Sequence, residues 1–122
     1  MPKTRVVFWC NDRGLAPFLE WFAGLPEGTQ DRCVVRLERL KKLGHELRRP
    51  EADYLDSDIY EMRVKCQSIN YRMLYFFAGR QEVVVSHGFS KQEAQVPKRE
   101  MQLAIDRRRL FLADPERHTY RE

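Results

Sequence analysis

Hydrophobic positions change their period several times along the chain, and each change predicts an element. Val6-Val7-Phe8-Trp9-Cys10 is a β-branched and aromatic run, read as a buried opening strand that ends at Asn11-Asp12-Arg13-Gly14. Pro17 suits the first turn of a helix, where its missing N–H costs nothing, and Phe18, Leu19 and Phe22 form that helix's apolar side. Leu25-Pro26-Glu27-Gly28 breaks it. Thr29 is the expected N-cap of a second helix, in which Cys33, Val34, Leu37, Leu40 and Leu43 return every three to four residues until Gly44 stops it. The two segments predict a helical hairpin.

The period then falls to two. Tyr54-Leu55 is a short strand candidate. From Ile59 to Cys66, Tyr60, Met62, Val64 and Cys66 take one face while Glu61, Arg63 and Lys65 take the other. Gln67-Ser68-Ile69-Asn70 reads as a turn. Residues 71–77 are apolar on both faces except at Arg72, the pattern of a central strand. Gly79-Arg80-Gln81 turns into residues 82–87, and hairpin-length connections make these three strands antiparallel neighbours. Pro97 opens a last helix, whose apolar side holds Met101, Ala104 or Ile105, and Leu110-Phe111-Leu112. Asp114-Pro115 ends it. The order strand, two helices, three or four antiparallel strands, helix predicts one α+β domain over residues 1–113, with a flexible tail over 114–122.

Composition narrows the class. A chain of 122 residues, 43% hydrophobic, supports one packed domain. Lys plus Arg number 22 against 18 for Asp plus Glu, a net charge of +4, which suits a polyanionic partner without requiring one. Cys10, Cys33 and Cys66 are odd in number and show no CxxC spacing, so neither a disulfide framework nor a zinc knuckle is expected, and a reducing compartment fits. The opening apolar run is too short for a signal-peptide core, and no stretch approaches the ~20 apolar residues of a membrane span. The expectation is a cytoplasmic protein with no membrane association. Glycine-rich phosphate loops, GxSxG, HExxH and paired acidic motifs are all absent from the sequence, so no metal or cofactor is expected.

Arg72 is the most informative residue. A guanidinium among Tyr71, Met73, Leu74, Tyr75, Phe76 and Phe77 needs a partner, because an unpaired buried charge is costly. A salt bridge to Glu61 or Asp58 would satisfy it; so would the phosphate that an arginine fork matches. Arg63 and Lys65 project together from the preceding strand, and register decides whether they share a face with Arg72. Ser86-His87-Gly88-Phe89-Ser90-Lys91 sets an imidazole, a flexible glycine and an ammonium close together at the end of the last strand and in the loop after it. His45 and His118 stand apart and read as surface residues. Tyr71 suits core packing, or base stacking at the sheet edge. Arg32, Arg36 and Arg39 form a basic stripe on the second helix, and Lys98, Arg99, Arg107, Arg108 and Arg109 make the last helix basic.

Ile59-Tyr60-Glu61-Met62-Arg63, Tyr71-Arg72-Met73-Leu74-Tyr75-Phe76, His87-Gly88-Phe89-Ser90-Lys91 and Pro97 occur in an order and spacing that resemble the RelE/ParE superfamily of bacterial toxins, in particular its phage-derived Gp49-like and HigB-like branch. The similarity runs from about residue 47 to 112. It implies a compact antiparallel sheet of three to four strands plus the N-terminal strand, two helices on one side and a terminal helix near the sheet's edge. It also implies a cognate antitoxin, commonly of helix-turn-helix type, and action on mRNA in the ribosome. RelE-like nucleases work without metal: the 2′-hydroxyl attacks the adjacent phosphate, giving a 2′,3′-cyclic phosphate and a 5′-hydroxyl.

By this resemblance Arg72 is a phosphate-binding and catalytic residue, with Arg63, Lys91 and His87 as its catalytic companions. Lys65, Arg32, Arg36, Arg39, Lys98, Arg99 and Tyr71 would bind RNA. The family pattern has a second lysine where Gln92 stands, and the closing segment Gln92-Glu93-Ala94-Gln95-Val96-Pro97 offers no Tyr or His as acid or base. A ParE-like inhibitor of DNA gyrase, or a non-toxic phage-derived regulator, would share the fold.

Overall fold

The computed structural model describes residues 4–91 and 95–121. Five strands, β1 (Arg5–Phe8), β2 (Ala52–Asp56), β3 (Ile59–Cys66), β4 (Ile69–Ala78) and β5 (Glu82–Lys91), form one sheet in the order β1-β5-β4-β3-β2. β2 to β5 are antiparallel neighbours, and β1 joins β5 in parallel, so the sheet is mixed. The α+β class read from the sequence holds. The apolar strand β4 takes the central place, with apolar and aromatic residues on one face and a single charge, Arg72, on the other.

Helices cover both faces. α1 (Pro17–Ala23) and α2 (Glu27–Leu43) pack Phe18, Cys33 and Leu40 onto Met62, Val64, Tyr71, Met73, Tyr75, Val83 and Val85. On the other face α3 (Lys98–Ala113) lays Ala104 and Phe111 on Ile59, Leu74, Phe76 and Val84. The last helix therefore lies across the second face of the sheet rather than at its edge. No helix among the described residues is long and apolar enough to cross a membrane.

Local readings change in places. α2 begins at Glu27 behind Pro26, and Thr29, expected as its cap, is buried inside the helix. Val34, read as core, is 45% exposed. Gly44 ends α2 at φ 54°, a conformation that L side chains rarely adopt. The β3–β4 turn is only Gln67-Ser68, both with positive φ, so Ile69 and Asn70 already belong to β4.

The segment after Asp114, read as a loose tail, is instead packed over its described residues. It forms a short helix, α4 (Pro115–His118), and bridges back to the end of β1 through Trp9 and Thr119. His118, read as a surface residue, is buried, stacked on Trp9 at 5.3 Å with Nδ1 donating to the Cys10 carbonyl at 2.8 Å.

One irregularity positions much of the second face. The β4–β5 register shifts after Leu74↔His87, so that Tyr75 pairs with Val85 and Ser86 is the extra residue of a bulge. Strand alternation resumes out of phase, and His87, Phe89 and Lys91 point to the α3 side while Gly88 points to the α1 side. There Trp21 lies so close that a Cβ on Gly88 would run into its ring. Gly88 is thus a strand residue chosen for close approach, not a flexible loop glycine.

Candidate nucleic-acid site

Strand register answers the question left by the sequence: Arg63 pairs directly with Arg72, so both leave the same face. Two like charges in that relation repel. Glu61, two residues before Arg63 on the same face, holds them together. Arg63 Nε donates to Glu61 Oε2 and Arg72 Nε to Glu61 Oε1, each at 3.0 Å. The Glu61 side chain is 3% exposed, against 12% for Arg72 and 33% for Arg63. Of the two salt-bridge partners expected for Arg72, Glu61 takes the role, while Asp58 pairs with Arg108 at 3.4 Å.

A second carboxylate extends the network. Asp53 accepts from Arg49 Nη2 at 2.7 Å and from Arg63 Nη2 at 3.4 Å. The Arg49 hydrogen bond, aided by the charges of Arg49 and Arg63, holds the Asp53 carboxyl below its usual range. Arg72 Nη1 donates to the Tyr71 carbonyl at 3.2 Å. No hydrogen bond among the described residues engages Arg63 Nη1 or Arg72 Nη2. Arg63 borders a cleft of about 460 Å³ that Arg49, Asp53, Glu61, Lys91 and Met101 also line, and Arg72 is joined to that lining through its bond to Glu61. Lys91 is the last residue of β5, opposite Asn70, rather than part of the following loop, and is 7% exposed. Gln92 lies outside the described residues.

His87 does not share this cleft. It sits within β5 opposite Leu74, 6% exposed. Its Nε2 lies 3.2 Å from Glu100 Oε1 and its Nδ1 2.8 Å from Ser86 Oγ. The tautomer that donates from Nε2 to the carboxylate and accepts at Nδ1 satisfies both contacts. Burial, with the nearby Arg107 guanidinium, pushes the imidazole down to about 4, so at neutral pH it is uncharged. The reading of His87 as an acid or base poised near neutrality is therefore corrected: desolvation has moved its titration and α3 has covered it.

The expected RNA-binding residues fall into three groups. Tyr71 is turned to the opposite face, 6% exposed and edge-on to Trp21 at 6.3 Å, so core packing excludes it from stacking a base. On α2, over that same opposite face, Arg36 Nη1 donates to Glu51 Oε2 at 2.5 Å, and Arg39 donates through Nε and Nη2 to both Glu51 oxygens. These bonds hold the Glu51 carboxyl down to about 2. Arg36 Nε also donates to the Arg63 carbonyl at 3.0 Å and Arg32 Nη1 to that of Lys65 at 3.3 Å. The α2 stripe thus fastens the helix to β3. Lys65, Lys98 and Arg99 are exposed.

Sequence reasoning missed Arg49, Glu51 and Asp53. Arg49 and Asp53 stand four apart but flank Pro50 outside any helix, so spacing alone gave no signal. Among the described residues no group of three or more His, Cys, Asp or Glu is arranged to hold a metal ion.

A family model described as phage derived protein Gp49-like (DUF891) matches residues 20–109. That span holds α2, the four antiparallel strands and most of α3. No curated protein matches the chain.

Proposed function

The chain belongs to the phage-derived Gp49-like family, a RelE/ParE-like group commonly found as the toxin of toxin–antitoxin systems, and from that premise we propose that it is a ribosome-dependent mRNA endoribonuclease of the HigB-like kind. The observation that supports this most is the cross-strand pair Arg63 and Arg72, tied at their Nε atoms by Glu61, with Arg63 and Glu61 lining the Lys91 cleft. In this reading the scissile phosphate is held by the outer Nη groups of the pair. The 2′-hydroxyl attacks that phosphate, the P–O bond to the 5′-oxygen breaks, and a 2′,3′-cyclic phosphate and a 5′-hydroxyl result. The guanidiniums and Lys91 stabilise the charge that builds on the phosphorane. Family membership implies an antitoxin partner, and masking this cleft is how it would neutralise the toxin.

The test is a reconstituted translation reaction in which mRNA ends are mapped by primer extension, with and without ribosomes. Cuts that require ribosomes and disappear in a folded Arg72→Ala variant are expected, with at least a ~100-fold loss of cleavage from removal of one charge-stabilising group. Full activity in Arg72→Ala would sink the mechanism. The acids Glu61 and Asp53, which offset the cleft's cations, favour a second reading, a ParE-like gyrase inhibitor that cleaves nothing. Intact mRNA with stalled supercoiling would select it, and intact mRNA with unimpaired growth would select a non-toxic regulator of the same fold.

A further inference from the structure

Cys33 and Cys66 take no part in the cleft chemistry, yet the fold brings them together. Cys33 is fully buried on the sheet-facing side of α2. Cys66 ends β3 on the same sheet face as Met62 and Val64, half-buried and packed against the same core. Two hydrogen bonds fix how α2 lies along β3, one from Arg32 to the Lys65 carbonyl and one from Arg36 to the Arg63 carbonyl. Four helical residues advance about 6 Å and two strand residues about 6.6 Å. Helix and strand therefore stay in step while running in opposite directions. Cys33, one residue beyond Arg32, comes level with the stretch between Val64 and Cys66, whose side chains are the ones that point toward α2 there. Burial pushes the Cys33 thiol up to about 11, and the charge of a Cys66 thiolate is the next cause, as expected of neighbouring sulfurs.

We propose that Cys33 and Cys66 are an oxidative modification site, closing an intramolecular disulfide between α2 and the end of β3 when the protein meets a hydroperoxide. Cys66 is the more accessible thiol and reacts first. Its sulfur attacks the O–O bond, which breaks to leave a sulfenic acid and, with a hydroperoxide of hydrogen, one water. The Cys33 sulfur then attacks the Cys66 sulfur, the S–S bond forms, and hydroxide leaves with the Cys33 proton as a second water. The two thiols lose two electrons and the peroxide gains them. Cys10 is held apart, its thiol donating to the Arg117 carbonyl at 3.4 Å, and serves as an internal control.

The full chain, treated with hydrogen peroxide, unfolded and alkylated, tests this by intact mass and peptide mapping. Two alkylation sites should vanish together, a cross-linked peptide pair should contain Cys33 and Cys66, and Cys10 should remain alkylated. Dithiothreitol should restore all three thiols. The oxidised chain should also melt at a higher temperature than the reduced one. Cys66→Ser, at the half-buried position, should leave Cys33 alkylated after the same treatment. Oxygen addition at Cys66 with Cys33 still a free thiol, linkage to Cys10 or to a second chain, or a lower melting temperature on oxidation would each overturn the site. None of these readouts depends on toxicity, so the result stands apart from the proposed nuclease activity.

Discussion

Toward α1 and α2, β4 presents Tyr71, Met73 and Tyr75; toward α3 it presents Arg72, Leu74 and Phe76. The first face is apolar along its whole length because two helices cover it, down to Trp21 lying against Gly88. On the second face the single helix α3 covers the Leu74–Phe76 end. At the other end stand Arg63, Arg72 and Glu61, of which Arg63 and Glu61 line a cleft. The difference teaches where charge can be kept in a small sheet. It collects where helical cover runs out, and a carboxylate placed between two guanidiniums makes their close approach tolerable.

Gly88→Ala is the harshest test of the closed face. The added methyl meets Trp21, and a cost of about 1–3 kcal/mol is expected for overpacking. Urea denaturation measures it, and an unchanged midpoint would mean that this face is looser than described. Glu51→Gln probes the clamp between α2 and the sheet. Losing the charge that Arg36 and Arg39 share should cost about 1–2 kcal/mol at neutral pH. The clamp's pH dependence has a definite sign. With the folded carboxyl held at about 2 and the free one near 4.5, its contribution is whole above 4.5 and fades as pH falls toward 2. A variant with the same acid unfolding profile as the parent would remove Glu51 from the account.

The smallest effect at neutral pH belongs to His87→Gln, which keeps a polar group between Ser86 and Glu100. The imidazole titrates near 4 when folded and 6.5 when free. Between those values the unfolded chain binds more protons, so stability should rise with pH over that window and the variant should flatten the rise. Melting temperatures measured from pH 4 to 7 for both proteins decide it. Parallel curves would show that α3 leaves His87 in water.

Much of this arrangement was legible in the sequence because strand alternation is local. Arg72 stood out as one charge in an apolar run, and the cost of burying it alone called for a partner, but the choice of Glu61 over Asp58 or a phosphate waited on the structure. That Arg63 lies opposite Arg72 was not legible, since a one-residue change in pairing would have sent it to the other face. The bulge at Ser86 hid the face of His87 for the same reason: nothing in Val85-Ser86-His87 announces an extra residue. The polar stretch after Asp114 looked unable to pack, yet His118 buries itself through a ring stack and one hydrogen bond that composition does not reveal.

β1 is synthesised before everything it pairs with. Its ladder partner begins at Glu82, and the bridge on its other edge comes from Thr119. A nascent chain therefore carries Val6, Val7 and Phe8 as an unpaired apolar strand until β5 has been made and has emerged from the ribosome. Completion of the sheet waits on β5, the last of the five described strands to be made. Until β5 is in place the edge of β1 has no ladder partner, which gives a binding partner time to meet the chain before the sheet is closed.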